Sequence, residues 1–311
     1  MTLRGALFTG VLLLAGQTML GQQDVQFSQY YNNKISFNPG VAGSSDEICL
    51  NSGHRSQWVG FDGAPTTQVI NANIPLSVLH GGLALNVVND QIGFFQDIAM
   101  SLSYAYQADL GDGRLGIGLA VDFRNQNVKN ANWIYPDNPT DPAVLQNGSA
   151  MTPELNFGAF YNSPDWYVGL STSRMLQSEA SFSGQTARYR SKMHYYLNAG
   201  YHIAVPGANV VVTPTMLLKS DLNSNMTMDL NVNASFQNLL YGGIGLRNQD
   251  AVVLMVGYQI MPSLRATYSY DITTSSLAAF SGGSHEIFLS YCFTIEPPKK
   301  IQGSHRTPDR L

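Results

Sequence analysis

Hydrophobic and polar positions alternate along most of this chain, from residue 46 to residue 295. In 115–123 every odd position is Leu, Ile, Val or Phe, and every even position is Gly, Ala or Asp. The segments 195–203 and 228–236 repeat the pattern. A period of two residues is that of a β-strand with one apolar face. The pattern therefore predicts an all-β fold.

The face opposite the apolar one indicates whether these strands lie in water or in a membrane. In a soluble sandwich it would be charged and solvated. Here it is mostly Gly, Ala, Ser, Thr and Asn. Small polar residues suit a crowded, hydrated lumen, with the apolar face turned towards lipid. We therefore predict a closed antiparallel transmembrane β-barrel of the bacterial outer membrane.

Counting the alternating segments gives about fourteen strands. Their predicted bounds are 46–59, 65–75, 81–90, 95–109, 114–125, 152–162, 165–174, 193–204, 209–220, 227–237, 240–248, 250–261, 263–272 and 284–295. The connections support this count, because outer-membrane barrels have short periplasmic turns and longer external loops. With a periplasmic start, the three longest connections, 126–151, 175–192 and 273–283, all fall on the external side.

The two ends of the chain lie outside the alternating region. Residues 1–21 are typical of a signal peptide, with Arg4 before the short apolar stretch 7–15. Residues 22–45 are too apolar for a free linker but have no strand or helix period, so we expect them to pack at the periplasmic mouth of the barrel. They form either an ordinary lead-in or a plug. The tail 296–311 is predicted to be periplasmic, as a solvated terminus or a tether.

Composition excludes several classes of function. Charged residues are only 12% of the chain and the net charge is −4, which excludes a disordered chain and argues against a nucleic-acid binder. The sequence contains no GxSxG, HExxH or CxxC motif, and its six His residues show no metal-binding spacing. We therefore expect no enzymatic activity, no cofactor and no metal.

Several ionisable residues occupy the face predicted to line the lumen. A set with both signs forms either a network that braces the barrel or a path for a ligand or peptide. The set comprises Arg55, Asp122, Arg124, Glu154, Asp229, Arg265, Asp271 and Glu286.

Three segments of the chain resemble a known family. They are QDVQFSQYYNNKISFNPGVAGSS (23–45), HRSQWVGFDGAPTTQVINANIPL (54–76) and SHEIFLSY (284–291). In this order they are similar to the PorP/SprF family of type IX secretion system membrane proteins of Bacteroidetes. The departure is Asn38-Pro39-Gly40, where the family typically has an NPA-like stretch.

The resemblance implies a non-enzymatic outer-membrane barrel of the secretion and gliding-motility machinery. Its implied partners are periplasmic ring lipoproteins, motor-linked proteins and the C-terminal domains of secreted cargo. An outer-membrane channel or hydrophobic-solute transporter remains an alternative, because about fourteen strands could leave an open lumen. A hydrolase has only scattered lumenal acids and hydroxyls in its favour.

Aromatic and polar residues of two regions are candidates for partner contacts. Long loops on a rigid scaffold commonly carry binding residues of these types. The candidates are Phe27, Tyr30, Tyr31, Phe37 and Asn38 in the N-terminal segment and Trp133, Tyr135, Phe182, Arg188, Tyr189 and Arg190 in the external loops.

The two cysteines provide a test of barrel closure. Cys49 lies near the start of the first predicted strand and Cys292 near the end of the last. Closure would make these strands neighbours, with both cysteines on the inner face at the periplasmic rim. We predict that the two residues lie close together. An exported compartment would permit a disulfide between them, and two reduced residues are the alternative.

Overall fold

The computed structural model describes residues 24–129, 147–182, 188–222, 226–248 and 250–294. The strands are β1 Ile48–Ser56, β2 Thr66–Leu76, β3 Gly81–Ile92, β4 Phe95–Leu110, β5 Gly113–Val128, β6 Gly148–Asn162, β7 Trp166–Ser173, β8 Glu179–Ser181, β9 Arg188–Arg190, β10 His194–Tyr201, β11 Ile203–Val205, β12 Val210–Ser220, β13 Thr227–Phe236, β14 Leu240–Arg247, β15 Ala251–Met261, β16 Leu264–Thr273 and β17 Ser284–Phe293. No helix within these described residues is long and apolar enough to cross a membrane.

The strands close into an antiparallel barrel. Each barrel strand pairs with its neighbours in the chain, and β1 pairs with β17 to complete the cylinder. β10 and β11 both pair with β12 and act as one strand interrupted at His202, so the barrel has fourteen strands. The predicted closed barrel and its strand number are confirmed. The additional hairpin β8–β9 lies within a segment predicted as loop.

The alternation of side chains matches the prediction from the sequence. In β5, Leu119, Val121 and Phe123 face outwards and are 44 to 60% exposed, while Asp122 and Arg124 on the inner face are buried. An apolar outer face belongs against lipid. All eight lumenal ionisable residues named from the sequence lie on the inner face, and seven of them are buried, with Arg265 half-buried.

The two ends of the barrel differ in the length of their connections. One end has the turns 77–80, 111–112, 163–165, 206–209, 237–239 and 262–263; the other carries the longest connections, 57–65, 129–147, 174–193 and 274–283. Outer-membrane barrels place their tight turns in the periplasm. We therefore call the first the periplasmic end and the second the external end.

The N-terminal segment 24–45, which we call the plug, lies inside the lumen. It contains three short 3₁₀ turns, Tyr30–Asn32, Lys34–Ser36 and Pro39–Val41. Gly43 contacts Gly82 at the periplasmic end, whereas Asp24 reaches Arg174, which directly follows β7 at the external end. The plug therefore runs through most of the barrel and extends well beyond the mouth where the sequence predicted it.

Glycines on the inner wall make room for the plug. The main chain of Gly40 and Pro39 lies directly against Gly116 and Gly118 of β5. A side chain at Gly118 would overlap the Pro39 carbonyl group. Backbone can approach backbone this closely only where a Cβ atom is missing.

Candidate functional site

Five ionisable side chains on neighbouring barrel strands meet at the external half of the lumen. We call them the latch cluster: Arg55, Asp229, Arg247, Asp271 and Glu286. Arg55 lies 2.7 Å from Asp271 and 3.0 Å from Glu286, measured from guanidinium nitrogen to carboxylate oxygen. Arg247 lies 2.7 Å from Asp229 and 3.1 Å from Asp271. They meet because strand alternation turns them inwards, and Arg55 and Glu286 are direct partners across β1 and β17.

The latch cluster holds the plug. The backbone N–H groups of Ser28 and Gln29 each donate a hydrogen bond of 2.8 Å to the Glu286 carboxylate. The Ser28 hydroxyl donates to Asp271 at 2.7 Å and accepts from Arg55 at 2.9 Å and from Arg247 at 3.0 Å. All these groups are buried, so losing one partner would leave uncompensated charge in a medium of low dielectric constant. These contacts fasten the plug to the barrel wall.

Aromatic side chains of the plug add apolar contacts to the wall. Phe27 packs edge-on against Phe288, with ring centroids 5.6 Å apart. Tyr30 packs with Tyr196 and Leu217, and Phe37 is stacked on Tyr196 at 5.6 Å. Tyr31 belongs to the same cluster. These residues were candidates for partner contacts, and the structure places each of them against the plug or the inner wall.

Polar contacts fix the plug at the periplasmic half. The Asn38 side chain accepts a hydrogen bond from the Gly40 N–H at 2.9 Å and donates to the Ala159 carbonyl oxygen at 3.1 Å. It is fully buried. The Lys34 ammonium lies 4.0 Å from the centre of the Tyr167 ring, a cation–π contact. Asn38 is thus a structural anchor of the plug.

A cavity of about 400 Å³, which we call the vestibule, lies at the external end of the lumen. Its lining combines apolar side chains, which we call the wall, with ionisable side chains of both signs, which we call the floor, and the amides of Gln96, Gln126 and Asn127. The lining includes Val25, Ile92, Phe95, Val128, Phe182 and Tyr189 on the wall and Asp90, Asp97, Arg124 and Arg174 on the floor. Arg174 pairs with Asp24 of the plug at 2.5 Å, and Arg124 pairs with Asp97.

The candidate residues of the external loops occupy different environments. Phe182 is only 4% exposed and packs with Val128, Ala150 and Ala180, so it anchors the hairpin β8–β9 to the barrel. Tyr189 packs beside it, and Arg190 is exposed. Arg188 is placed in β9 by its backbone. Trp133 and Tyr135 lie outside the described residues, as do the predicted signal peptide and tail.

Cys49 and Cys292 face each other across the seam between β1 and β17 at the periplasmic end. Their Cα atoms are 4.1 Å apart and a disulfide joins their sulfurs. Within the described residues, Glu47 and these two cysteines form the one group of His, Cys, Asp or Glu side chains with metal-ligand spacing. Because the disulfide consumes both thiolates, this group is not a metal site in the oxidised protein.

Sequence reasoning missed several residues of the latch and the vestibule. Alternation in β14 puts Arg247 on the same face as Gly245, so the pattern that identified Arg55 also signals Arg247. Ser28 and Asp24 have no comparable signal, because their segment has no period. Lys219, whose ammonium donates to the Asp24 carbonyl oxygen at 2.8 Å, could have been found by alternation in β12.

Comparisons with solved structures return outer-membrane barrels. The toluene transporter TbuX of Ralstonia pickettii is 8% identical, with 85% of this chain and 94% of that chain covered and a TM-score of 0.49. The outer membrane protein Omp33 of Acinetobacter baumannii is 9% identical, with 81% and 100% covered and a TM-score of 0.45. The translocator domain of the autotransporter NalP from Neisseria meningitidis is 12% identical, with 86% and 94% covered and a TM-score of 0.46. No curated protein matches the chain.

A family comparison covers almost the whole barrel and the plug. The profile described as "Type IX secretion system membrane protein PorP/SprF" matches residues 19–291. Together with the closed barrel and its apolar outer face, this match locates the protein in the outer membrane. The family is a membrane component of a secretion system and is not known as an enzyme. The chain belongs to the PorP/SprF family of type IX secretion system membrane proteins.

Proposed function

We propose that this protein is a docking component of the type IX secretion system. Its external end receives secreted proteins by their C-terminal domains, and its periplasmic end contacts the machinery of secretion and gliding. The barrel and its plug provide a rigid platform for both sides. The protein performs no covalent chemistry in this role.

The filled lumen is the observation that carries this proposal. The plug occupies the barrel from Asp24 at the external end to Gly43 at the periplasmic end. The cavity left beside the first part of the plug has a volume of about 80 Å³, which is room for a few water molecules. A barrel whose interior is occupied by its own buried, hydrogen-bonded segment suits docking better than bulk transport.

Conductance measurements distinguish docking from the alternative, a channel or hydrophobic-solute transporter. In a planar lipid bilayer, the purified protein is expected to show no steady conductance at a voltage at which a general porin conducts. A porin of known conductance in the same bilayer is the control for insertion. Steady ohmic conductance of the unmodified protein would support the channel and contradict a platform with a fixed plug.

The external loops are the proposed contact surface for cargo. Arg190 is exposed on the hairpin β8–β9, next to the half-buried Tyr189. The connection that contains Trp133 and Tyr135 starts at Lys129 and returns at Asn147, on the same end of the barrel. Aromatic and Arg residues on long loops suit protein recognition.

Deletion of residues 133–145 tests this surface. Barrel assembly is expected to be unchanged, as measured by the mobility shift between heated and unheated protein in gel electrophoresis, while retention of cargo at the cell surface falls. The test needs a host strain that lacks the protein, complemented with the unmodified chain as the reference. If the strain without the protein secretes and displays all cargo normally, the proposed function is wrong. If cargo display is lost without the protein but is normal after deletion of residues 133–145, cargo binds elsewhere on the protein.

A further inference from the structure

We infer that the vestibule binds an extended peptide segment that carries an apolar side chain. The inference deepens the proposed function and rests on it, because it assigns one site on the external end to a short stretch of a secreted protein.

The size and position of the vestibule suit a chain segment. Its volume of about 400 Å³ is near the lower end of the range for ligand pockets, roughly 300 to 1,000 Å³. A cavity of this size accepts a few residues and is far too small for a folded domain. The residues that line it lie at the external ends of β3, β4 and β5 and on the hairpin β8–β9, together with Val25 of the plug and Arg174 after β7.

Two apolar side chains of the wall remain partly exposed in the part of the chain that the structure describes. Ile92 and Phe95 belong to the inward-facing set of their strands, and each is 50% exposed. Phe182 and Tyr189 line the same cavity from the hairpin. Exposed apolar groups that converge on a concave site favour an apolar side chain over water.

The polar floor contains buried atoms without a hydrogen-bond partner in the described residues. Arg124 and Arg174 are 92% and 93% buried by side chain, and the Nε–H group of each is unpaired. One carboxylate oxygen of Asp97, Oδ1, is also unpaired. Leaving such groups without a partner is costly, and because each of these atoms is itself almost fully buried, a ligand reaches them only after a shift of the side chains.

The latch cluster has fewer buried atoms without a partner than the charged residues of the vestibule. Across the latch cluster, Arg55 Nε is the one buried side-chain atom without a partner among the described residues. Both clusters lie at the external half and both contact the plug. The network of the latch cluster is therefore nearly complete, as expected of a structural brace, whereas the vestibule keeps three unpaired atoms, which also occur elsewhere on the inner wall, for example in Thr152, Asn198 and Asn233.

The mixed charges and the amides of the lining suit a peptide. The floor presents two carboxylates and two guanidiniums, so neither a strong anion nor a strong cation is favoured by net charge. The half-buried amides of Gln96, Gln126 and Asn127 also line the cavity and carry both donors and acceptors. A peptide unit supplies one acceptor and one donor. An extended segment can place these groups on the floor and one side chain against the wall.

Photocrosslinking in the native host identifies which molecule occupies the vestibule. Benzoylphenylalanine is introduced at Phe95 and, as the control, at Phe280, which is 69% exposed at the same end but outside the vestibule. Irradiation at position 95 is expected to join the barrel to one segment of a secreted protein, mapped by mass spectrometry, and position 280 is expected not to. A crosslink from position 95 only to lipid or to residues 130–146 of the same chain would overturn the inference.

A matched pair of variants tests whether the site matters. The double variant Ile92→Ser with Phe95→Ser is expected to lower cargo at the cell surface by at least about tenfold, because burial of one aromatic side chain contributes that much affinity. Phe280→Ser is expected to behave as the unmodified protein. Barrel abundance is measured in every strain. Equal cargo display by the double variant and Phe280→Ser would overturn the inference and leave the proposed function intact, whereas normal secretion without the protein would reject the proposed function itself.

Discussion

Replacement of Arg55 by Met is the sharpest test of the plug's fastening. Methionine keeps much of the length of the side chain but removes the charge. The change deprives Glu286 of its partner at 3.0 Å and Asp271 of its partner at 2.7 Å, and the Ser28 hydroxyl loses a donor. Arg247 still contacts Asp271, so the largest uncompensated charge falls on Glu286.

The burial of these groups sets the expected magnitude. Arg55 and Glu286 are 1% and 0% exposed by side chain. Removing one partner of a buried pair typically costs about 3 to 5 kcal/mol in unfolding free energy. Arg114 and Asp46 form a matched control, since they are 2.7 Å apart, as Arg55 and Asp271 are, but their side chains are 37% and 76% exposed. An exposed pair contributes about 0 to 1 kcal/mol, so Arg114→Met is expected to cost little.

The assay is reversible denaturant unfolding of the purified barrel in lipid vesicles, followed by tryptophan fluorescence. Arg55→Met is expected to lower the unfolding free energy by about 2 kcal/mol or more beyond the effect of Arg114→Met. The same variant is expected to show transient conductance in planar bilayers, because the plug loses part of its fastening. Equal losses for the two arginine variants, with no conductance, would refute the account of the latch cluster.

Three further predictions concern the seam, the inner wall and the tail. Thiol reagents should not label unreduced protein at Cys49 and Cys292, and full labelling without reduction would contradict the disulfide. The double variant Cys49→Ser with Cys292→Ser should lose on the order of 5 kcal/mol of unfolding free energy by the chain-entropy model. Gly118→Val should displace the plug and produce conductance. Gly242→Val should remain closed, because a Cβ atom at Gly242 would meet only the Met255 carbonyl oxygen, at 3.9 Å; two closed barrels would refute the close-approach argument. Truncation after Glu296 should leave secretion unchanged in a complemented strain, as expected of a solvated terminus, and a loss of secretion would instead favour a periplasmic tether.

Much of the barrel could be predicted from residues alone because strand geometry is local. Successive side chains of a strand point to opposite faces, so a period of two directly indicates which residues face lipid. The same reasoning put Arg55, Asp122 and Glu286 on the inner wall and brought Cys49 opposite Cys292. Loop lengths then distinguished the two ends of the cylinder.

The path of the plug and the state of the lumen could not be predicted in this way. Residues 24–45 have no repeating geometry, so their sequence indicated apolar packing but neither its depth nor its direction. Phe182 looked like an exposed loop residue, yet the hairpin β8–β9 turns it into a buried cluster. Its three-residue strands are too short to carry a readable period.

The sequence by itself determined the strands, their faces and the closure of the barrel, since these follow from repeating backbone geometry and from burial of an apolar face. Only the tertiary structure decided that Ser28 completes the latch cluster while Arg124 and Arg174 keep unpaired N–H groups beside a cavity. These contacts join residues as far as 258 positions apart. Such pairings depend on where the whole wall places each side chain, and no local pattern carries that information.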